Sequence, residues 1–103
     1  MGKRAWPWLL SLTLFVACAE GAAGLPPEQV PADLRADYQV FAVRCSKCHA
    51  LSRPLQSGIT DDRHWASYIA RMRLQPGSGI TADDAPKILR FLSYYSRQRL
   101  QTR

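Results

Sequence analysis

The motif that most constrains this chain is CSKCH, residues Cys45–His49, in a sequence of 103 residues. A Cys-x-x-Cys pair can be a redox-active dithiol, half of a zinc site or, when histidine follows directly, an attachment site for c-type haem. The chain has three cysteines, and Cys18 is the one outside the motif. Because Cys45 and Cys48 are too close in sequence to join distant segments, a disulfide framework is excluded as the source of stability.

The first 24 residues have the composition of an export signal. Lys3 and Arg4 precede an apolar stretch over 5–18 and the small residues of ACAEGAAG, which is the order found in secretory signals. The apolar stretch is shorter than the ~20 residues of a membrane-spanning helix, although a permanent N-terminal anchor is the alternative. Residues 1–24 therefore predict a protein that is periplasmic or otherwise outside the cytoplasmic membrane, with a mature chain of about 80 residues.

Two kinds of processing fit the end of this signal region. ACA at 17–19 fits cleavage after small residues, whereas FVAC at 15–18 is similar to a bacterial lipoprotein signal, in which Cys18 becomes the lipidated first residue. Phe15 stands where lipoprotein signals usually have an aliphatic residue. The sequence leaves both kinds open, and the second would give the domain a membrane tether through Cys18.

Three helices are predicted after a Gly- and Pro-rich linker at residues 25–31. Apolar residues recur with helical spacing over 32–45, over 60–74 and over 81–98. No stretch alternates as a strand would, and no internal repeat is present. The sequence therefore predicts one all-α domain over 32–103.

The ends of these helices carry local signals. Thr60 is the expected N-cap of the second helix, and Thr81 with Asp84 resembles a capping box at the start of the third. The segment ALSRPLQSGIT is expected to be a loop, and QPGSG at 75–79 is expected to be a turn that ends the second helix.

The rest of the chain favours the haem chemistry for CSKCH. A zinc site needs four ligands, and His64 is the one histidine outside the motif. A redox dithiol is typical of a βαβ setting, and no strand is predicted here. Two thiols on one turn can add across the two vinyl groups of a haem while His49 binds its iron. A covalently held macrocycle would also complete the marginal core of a domain this small.

These residues resemble a class I cytochrome c in its small bacterial single-haem form. The resemblance covers about 34–95 and is carried by YQVFAVRCSKCH, with Phe41 four positions before Cys45, by WASYIARM before PGSGI, and by ILRFLSYY in the last helix. It implies three main helices wrapped around one haem c held by Cys45 and Cys48, with the first and last helices crossing. One haem edge would be open to partner proteins.

The resemblance implies an electron carrier rather than an enzyme, either alone or as a subunit of a larger oxidoreductase complex. His49 would be one axial ligand of the iron and Met72 the other, since Met72 is the remaining methionine once Met1 is lost with the signal. The alternative is a haem enzyme or a sensor of peroxide or a small gas, with the sixth position vacant or occupied by His64.

Three features depart from the family or transfer to it loosely. Asp37 stands eight positions before Cys45, where the family commonly has a small residue at the helix crossing. Either Ala36 takes that place through a rotated helix, or the crossing is looser. The stretch between His49 and Met72 is short for the family, which predicts a trimmed loop. Pro54 is expected in a loop, although its carbonyl could accept from His49.

The charge balance predicts the class of partner. The formal charge is +6, and loss of Lys3 and Arg4 lowers it to +4. A basic surface can bind nucleic acid, but an exported chain meets little of it. We therefore expect redox protein partners with acidic docking faces, and Arg97, Arg99 and Arg103 at the C-terminus are suitably placed.

Overall fold

A computed structural model describes Gly2 and residues 24–102, and regular structure in that part of the chain is entirely helical. Its four α-helices are α1 (Arg35–Cys45), α2 (Ser52–Leu55), α3 (Asp62–Arg73) and α4 (Asp84–Gln101). The all-α class predicted from the sequence is confirmed. Among the described residues, no helix has the length and apolar character needed to cross a membrane. Cys18 and the predicted signal region before Gly24 lie outside the described residues, Gly2 excepted.

The helix boundaries differ from the predicted ones at three points. The segment after the motif contains the short α2 where a loop was expected. Thr60 is not the N-cap of α3, because Asp61 has the extended backbone of a cap and its carboxylate accepts from the Arg63 N–H at 2.6 Å. The last helix runs on to Gln101.

The predicted turn and capping box between α3 and α4 are both present. Gly77 and Gly79 have φ of +77° and +65°, which glycine adopts without a steric penalty. Ser78 Oγ donates to the Arg73 carbonyl at 3.2 Å and so ties the turn to the end of α3. Thr81 and Asp84 exchange hydrogen bonds of 3.0 and 3.1 Å between side chain and backbone.

An aromatic cluster at the crossing of α1 and α4 forms the centre of the core. The Phe41 and Phe91 ring centroids are 5.0 Å apart, and Tyr38 lies 4.9 Å from Phe91. Rings at these distances and tilts pack favourably beyond the area that they bury. Helix α3 joins this core through the buried Trp65, whose indole N–H donates to Ser96 Oγ at 2.7 Å.

Two ion pairs join α1 to α4 in antiparallel order. Asp37, only 3 % exposed, accepts two hydrogen bonds from the Arg90 guanidinium. Two turns further along α1, Arg44 Nε donates to Asp84 Oδ2 at 2.9 Å. Ala36 is exposed and does not lie at the crossing. Asp37 is therefore accommodated at the crossing by a charged partner on α4, and no rotation of α1 brings Ala36 there.

Part of the segment predicted as a linker is packed on the domain. Val30 is buried, and the Leu25 N–H and carbonyl both bond to the Tyr38 hydroxyl, at 2.7 and 3.2 Å. Gly24 has φ +87°, and a Cβ at this position would collide with that hydroxyl. The chain is thus fixed against α1 from Gly24 onward.

Mutations of Asp37 and Arg90 are expected to have non-additive effects on stability. Arg90→Met should lower the urea midpoint, because it leaves the Asp37 carboxylate buried without a partner. Asp37→Ala with Arg90→Met should lose less than the two single changes summed, as followed by circular dichroism. Arg97→Met is the matched control, since its partner Asp62 is exposed and 3.7 Å away. Additive losses would contradict this role for the pair.

Protonation of Asp84 is expected to lower the free energy of unfolding in acid. The Thr81 N–H, and to a smaller degree Arg44, lower the pKa of the Asp84 carboxyl below its usual value of 3.8. Since the folded-state pKa is the lower one, the stabilisation is full above about pH 4 and is lost as the pH falls further. Asp84→Asn should therefore flatten the dependence of urea stability on pH between about pH 5 and pH 2. Asp83→Asn, an exposed neighbour, should keep the wild-type slope.

Candidate functional site

The CSKCH motif continues directly from the last turn of α1. The helix ends at Cys45, and the Ser46 N–H still donates to the Ala42 carbonyl at 3.3 Å. Cys45 is buried, Cys48 is exposed and His49 is half-buried. The position of the motif is therefore set by α1 and, through α1, by its packing on α4.

One cleft is lined by all four of the residues predicted as haem ligands, Cys45, Cys48, His49 and Met72. It has a volume of about 260 Å³. The motif forms one wall, and the end of α3 with the turn at 75–79 forms the other. Residues 27 positions apart in sequence thus face one space.

His49 is oriented by a backbone hydrogen bond. Its Nδ1 lies 3.0 Å from the Ala50 carbonyl oxygen. Because a carbonyl can only accept, Nδ1 carries the proton in this bond, and the lone pair of Nε2 is left for a metal. Pro54 does not take this role, since its carbonyl accepts from the Ser57 N–H at 3.1 Å and from Ser57 Oγ at 2.7 Å.

The two thiols differ in their surroundings. Both are free, and burial raises the pKa of the Cys45 thiol to about 11. A dithiol redox centre works through a thiolate of lowered pKa, so the burial of Cys45 disfavours that chemistry. No group of three or more His, Cys, Asp or Glu side chains in the described part of the chain could hold a metal ion.

Met72 lies on the inner side of α3, half-buried against the hydrophobic core. Trp65 and Ile69, earlier on the same face, are buried and fill the core. His64, the alternative ligand, is exposed and is not part of the cleft lining. The described structure therefore brings Met72, and not His64, to the cleft.

A second lobe of about 410 Å³ adjoins the first and shares Arg53, Met72 and Gln75 with it. Arg71 and Leu74 also line this second lobe. Among the described residues, neither lobe has an acidic side chain in its lining. The walls therefore combine apolar and cationic groups.

Tyr68 also lies at this site, and it belongs to the apolar spacing over 60–74 from which the second helix was predicted. Its hydroxyl is buried and has no hydrogen-bond partner among the described residues. Burial raises the pKa of this hydroxyl, and the neighbouring Cys45 sulfur adds to the effect. Tyr68 also lines the second lobe and precedes Met72 by one helical turn. The spacing of four from Met72 was the available signal, since such residues share a helix face.

Comparison with protein-family models, with curated proteins and with solved structures finds no match to this chain.

Proposed function

We propose that this protein is an exported single-haem electron carrier of the c type. The observation that carries the proposal is the convergence of Cys45, Cys48, His49 and Met72 on one cleft. Two thiols, an imidazole and a thioether are the groups that hold a c-type haem covalently and ligate its iron from both sides. The proposed location is outside the cytoplasmic membrane, with a lipid tether if processing occurs at Cys18.

The described residues fit such a group on three counts. The hydrogen bond from His49 to the Ala50 carbonyl leaves Nε2 free to bind iron. The Tyr68 hydroxyl, buried beside Cys45 without a partner, would be satisfied by an acceptor bound in the cleft. Cys45 belongs to the hydrophobic core and Met72 packs against it, so a group bound between them would extend the core of a small domain.

Each residue has a distinct role in the proposal. Cys45 and Cys48 would hold the haem through thioether bonds, and His49 and Met72 would ligate its iron. A bound haem would supply reversible one-electron chemistry at its iron. Met72 is held by α3, and the His49 ring is oriented by the Ala50 carbonyl. Among the described residues, the carboxylates lie outside the lining of the cleft and His64 is exposed outside it, which supports the carrier over the enzyme alternative.

The covalent bond gives the first test. Protein expressed with its export signal and a haem-attachment system should keep one haem through denaturation and acid–acetone extraction, measured as the pyridine haemochrome. Colour that extracts freely would rule out c-type attachment. Cys45→Ala and Cys48→Ala should each lose covalent haem and fold poorly, because the haem would form a large part of the core. Cys18→Ser is the control and should leave haem content per folded domain unchanged.

The sixth ligand gives the second test. Ferric haem iron bound to a thioether has a weak charge-transfer band at the edge of the near infrared, and Met72→Ala should abolish it. Met72→Ala should also lower the reduction potential, since a methionine ligand raises it. His64→Ala is the matched control on the same helix and should keep both properties. A band that persists in Met72→Ala would refute the assignment, and a change of coordination confined to His64→Ala would support the bis-histidine alternative.

A further inference from the structure

The last turn of α3, residues 70–74, is held less firmly by core packing than the rest of the helix. Among these residues, all of which the structure describes, Met72 is the one that is not exposed. The fully buried side chains of α3 are Trp65 and Ile69, which lie earlier in the helix. Because exposed side chains bury little surface on folding, the turn that carries Met72 depends on contacts outside the core for its position.

Ser78 supplies such a contact from the opposite wall of the cleft. It is 8 % exposed and belongs to the cleft lining. Its Oγ donates to the Arg73 carbonyl at 3.2 Å and accepts from the Ile80 N–H at 3.3 Å. One hydroxyl thus joins the residue that follows Met72 to Ile80, which is part of the hydrophobic core.

The other hydrogen bonds of this region are local or more accessible to water. Arg73 Nε also reaches Ile80, donating to its carbonyl at 3.4 Å, but the Arg73 side chain is exposed. The Gln75 N–H donates to the Met72 carbonyl, and the Ser78 N–H donates to the Gln75 carbonyl, both at 3.1 Å. These two bonds shape the turn itself. Loss of a shielded bond costs more than loss of an exposed one, so the Ser78 hydroxyl is the stronger attachment.

Removal of this hydroxyl would affect both sides of the turn. The backbone of Ile80 is buried, and its N–H would be left without an acceptor. The Arg73 carbonyl, at the end of α3, would lose its donor at the same time. The turn is then expected to move so that water reaches these groups, and the last turn of α3 would be free to carry Met72 away from the cleft.

Resting on the proposed electron-carrier function, we propose that Ser78 is a positioning residue that keeps Met72 in the cleft and thereby prevents small nitrogenous ligands from taking its place. Ser78 acts through Met72, because both bonds of its hydroxyl are made to backbone groups. A competing ligand binds only in those molecules whose Met72 has withdrawn, so its apparent affinity is proportional to their fraction. By lowering that fraction, Ser78 makes the site a carrier rather than a sensor.

The test measures the apparent Kd of imidazole for the oxidised holoprotein by optical titration. Ser78→Ala should lower this Kd about tenfold, because Met72 is withdrawn in a larger fraction of molecules. Ser67→Ala is the matched control, since it removes an exposed hydroxyl from the same helix, and it should stay within about twofold of the wild type. An unchanged Kd in Ser78→Ala would overturn the proposal.

A third variant separates positioning of Met72 from general loss of stability. Arg90→Gln weakens the pair with the buried Asp37 at the crossing of α1 and α4, away from the turn. It should lower the urea midpoint, followed by circular dichroism, and leave the imidazole Kd within about twofold of the wild type. Equal changes of Kd in Arg90→Gln and Ser78→Ala would show that stability alone controls ligand entry, and would overturn the proposal.

Failure of the haem assignment is separable from failure of the positioning role. If the exported protein carries no haem, the ¹³C-labelled methyl group of Met72 becomes the probe. The chain has two methionines, Met1 and Met72, so the mature protein gives one assignable methyl signal. In Ser78→Ala this signal should narrow and move toward the shift of free methionine, whereas Ser67→Ala should leave it in place. That result would support the positioning role although the carrier function had failed, and an unchanged signal in Ser78→Ala would overturn it.

Discussion

The ion pair between Arg44 and Asp84 connects the two walls of the cleft. Arg44 directly precedes Cys45, so it fixes the end of α1 that carries the CSKCH motif. Asp84 begins α4 and closes the capping box with Thr81, so it fixes the exit of the turn that forms the opposite wall. The Asp84 carboxylate accepts hydrogen bonds from both Arg44 and the Thr81 N–H, and so fixes the two walls relative to each other. The Asp37–Arg90 pair secures the same two helices further along, and the aromatic cluster fills the space between the pairs.

The helices could be predicted from sequence because their signals are local. Apolar spacing indicated α1, α3 and α4, and Thr81 with Asp84 indicated the start of α4. Local signals were less reliable where two adjacent residues could both cap a helix, as Thr60 and Asp61 could at the start of α3. They could not show that Asp37 pairs with Arg90, since 53 residues separate these partners. From sequence alone, an aspartate at a predicted helix interface would be an unpaired buried charge; in the fold, Arg90 pairs with it.

At the candidate site, too, the sequence indicated the residues, whereas their surroundings depend on the fold. The motif named Cys45, Cys48 and His49, and the scarcity of methionine named Met72; the fold shows that these four share one cleft. The unequal burial of the two thiols, the Ala50 carbonyl as the partner of His49, and the orphaned Tyr68 hydroxyl depend on packing that no spacing encodes. The helical spacing accounts for the aromatic ring of Tyr68, but it gives no information about the environment of the hydroxyl group.

Gly24 lies where the predicted signal region meets the domain. An export region tolerates many small residues near its end, because what is recognised there is size and not a particular side chain. The fold is less permissive at residue 24. A methyl group there would collide with the Tyr38 hydroxyl, and the positive φ of this residue is unfavourable for any residue other than glycine. The fold therefore constrains this residue more tightly than the predicted signal region does. Replacement of Gly24 by any residue with a side chain should therefore be poorly tolerated, although GAAG looks uniform in sequence.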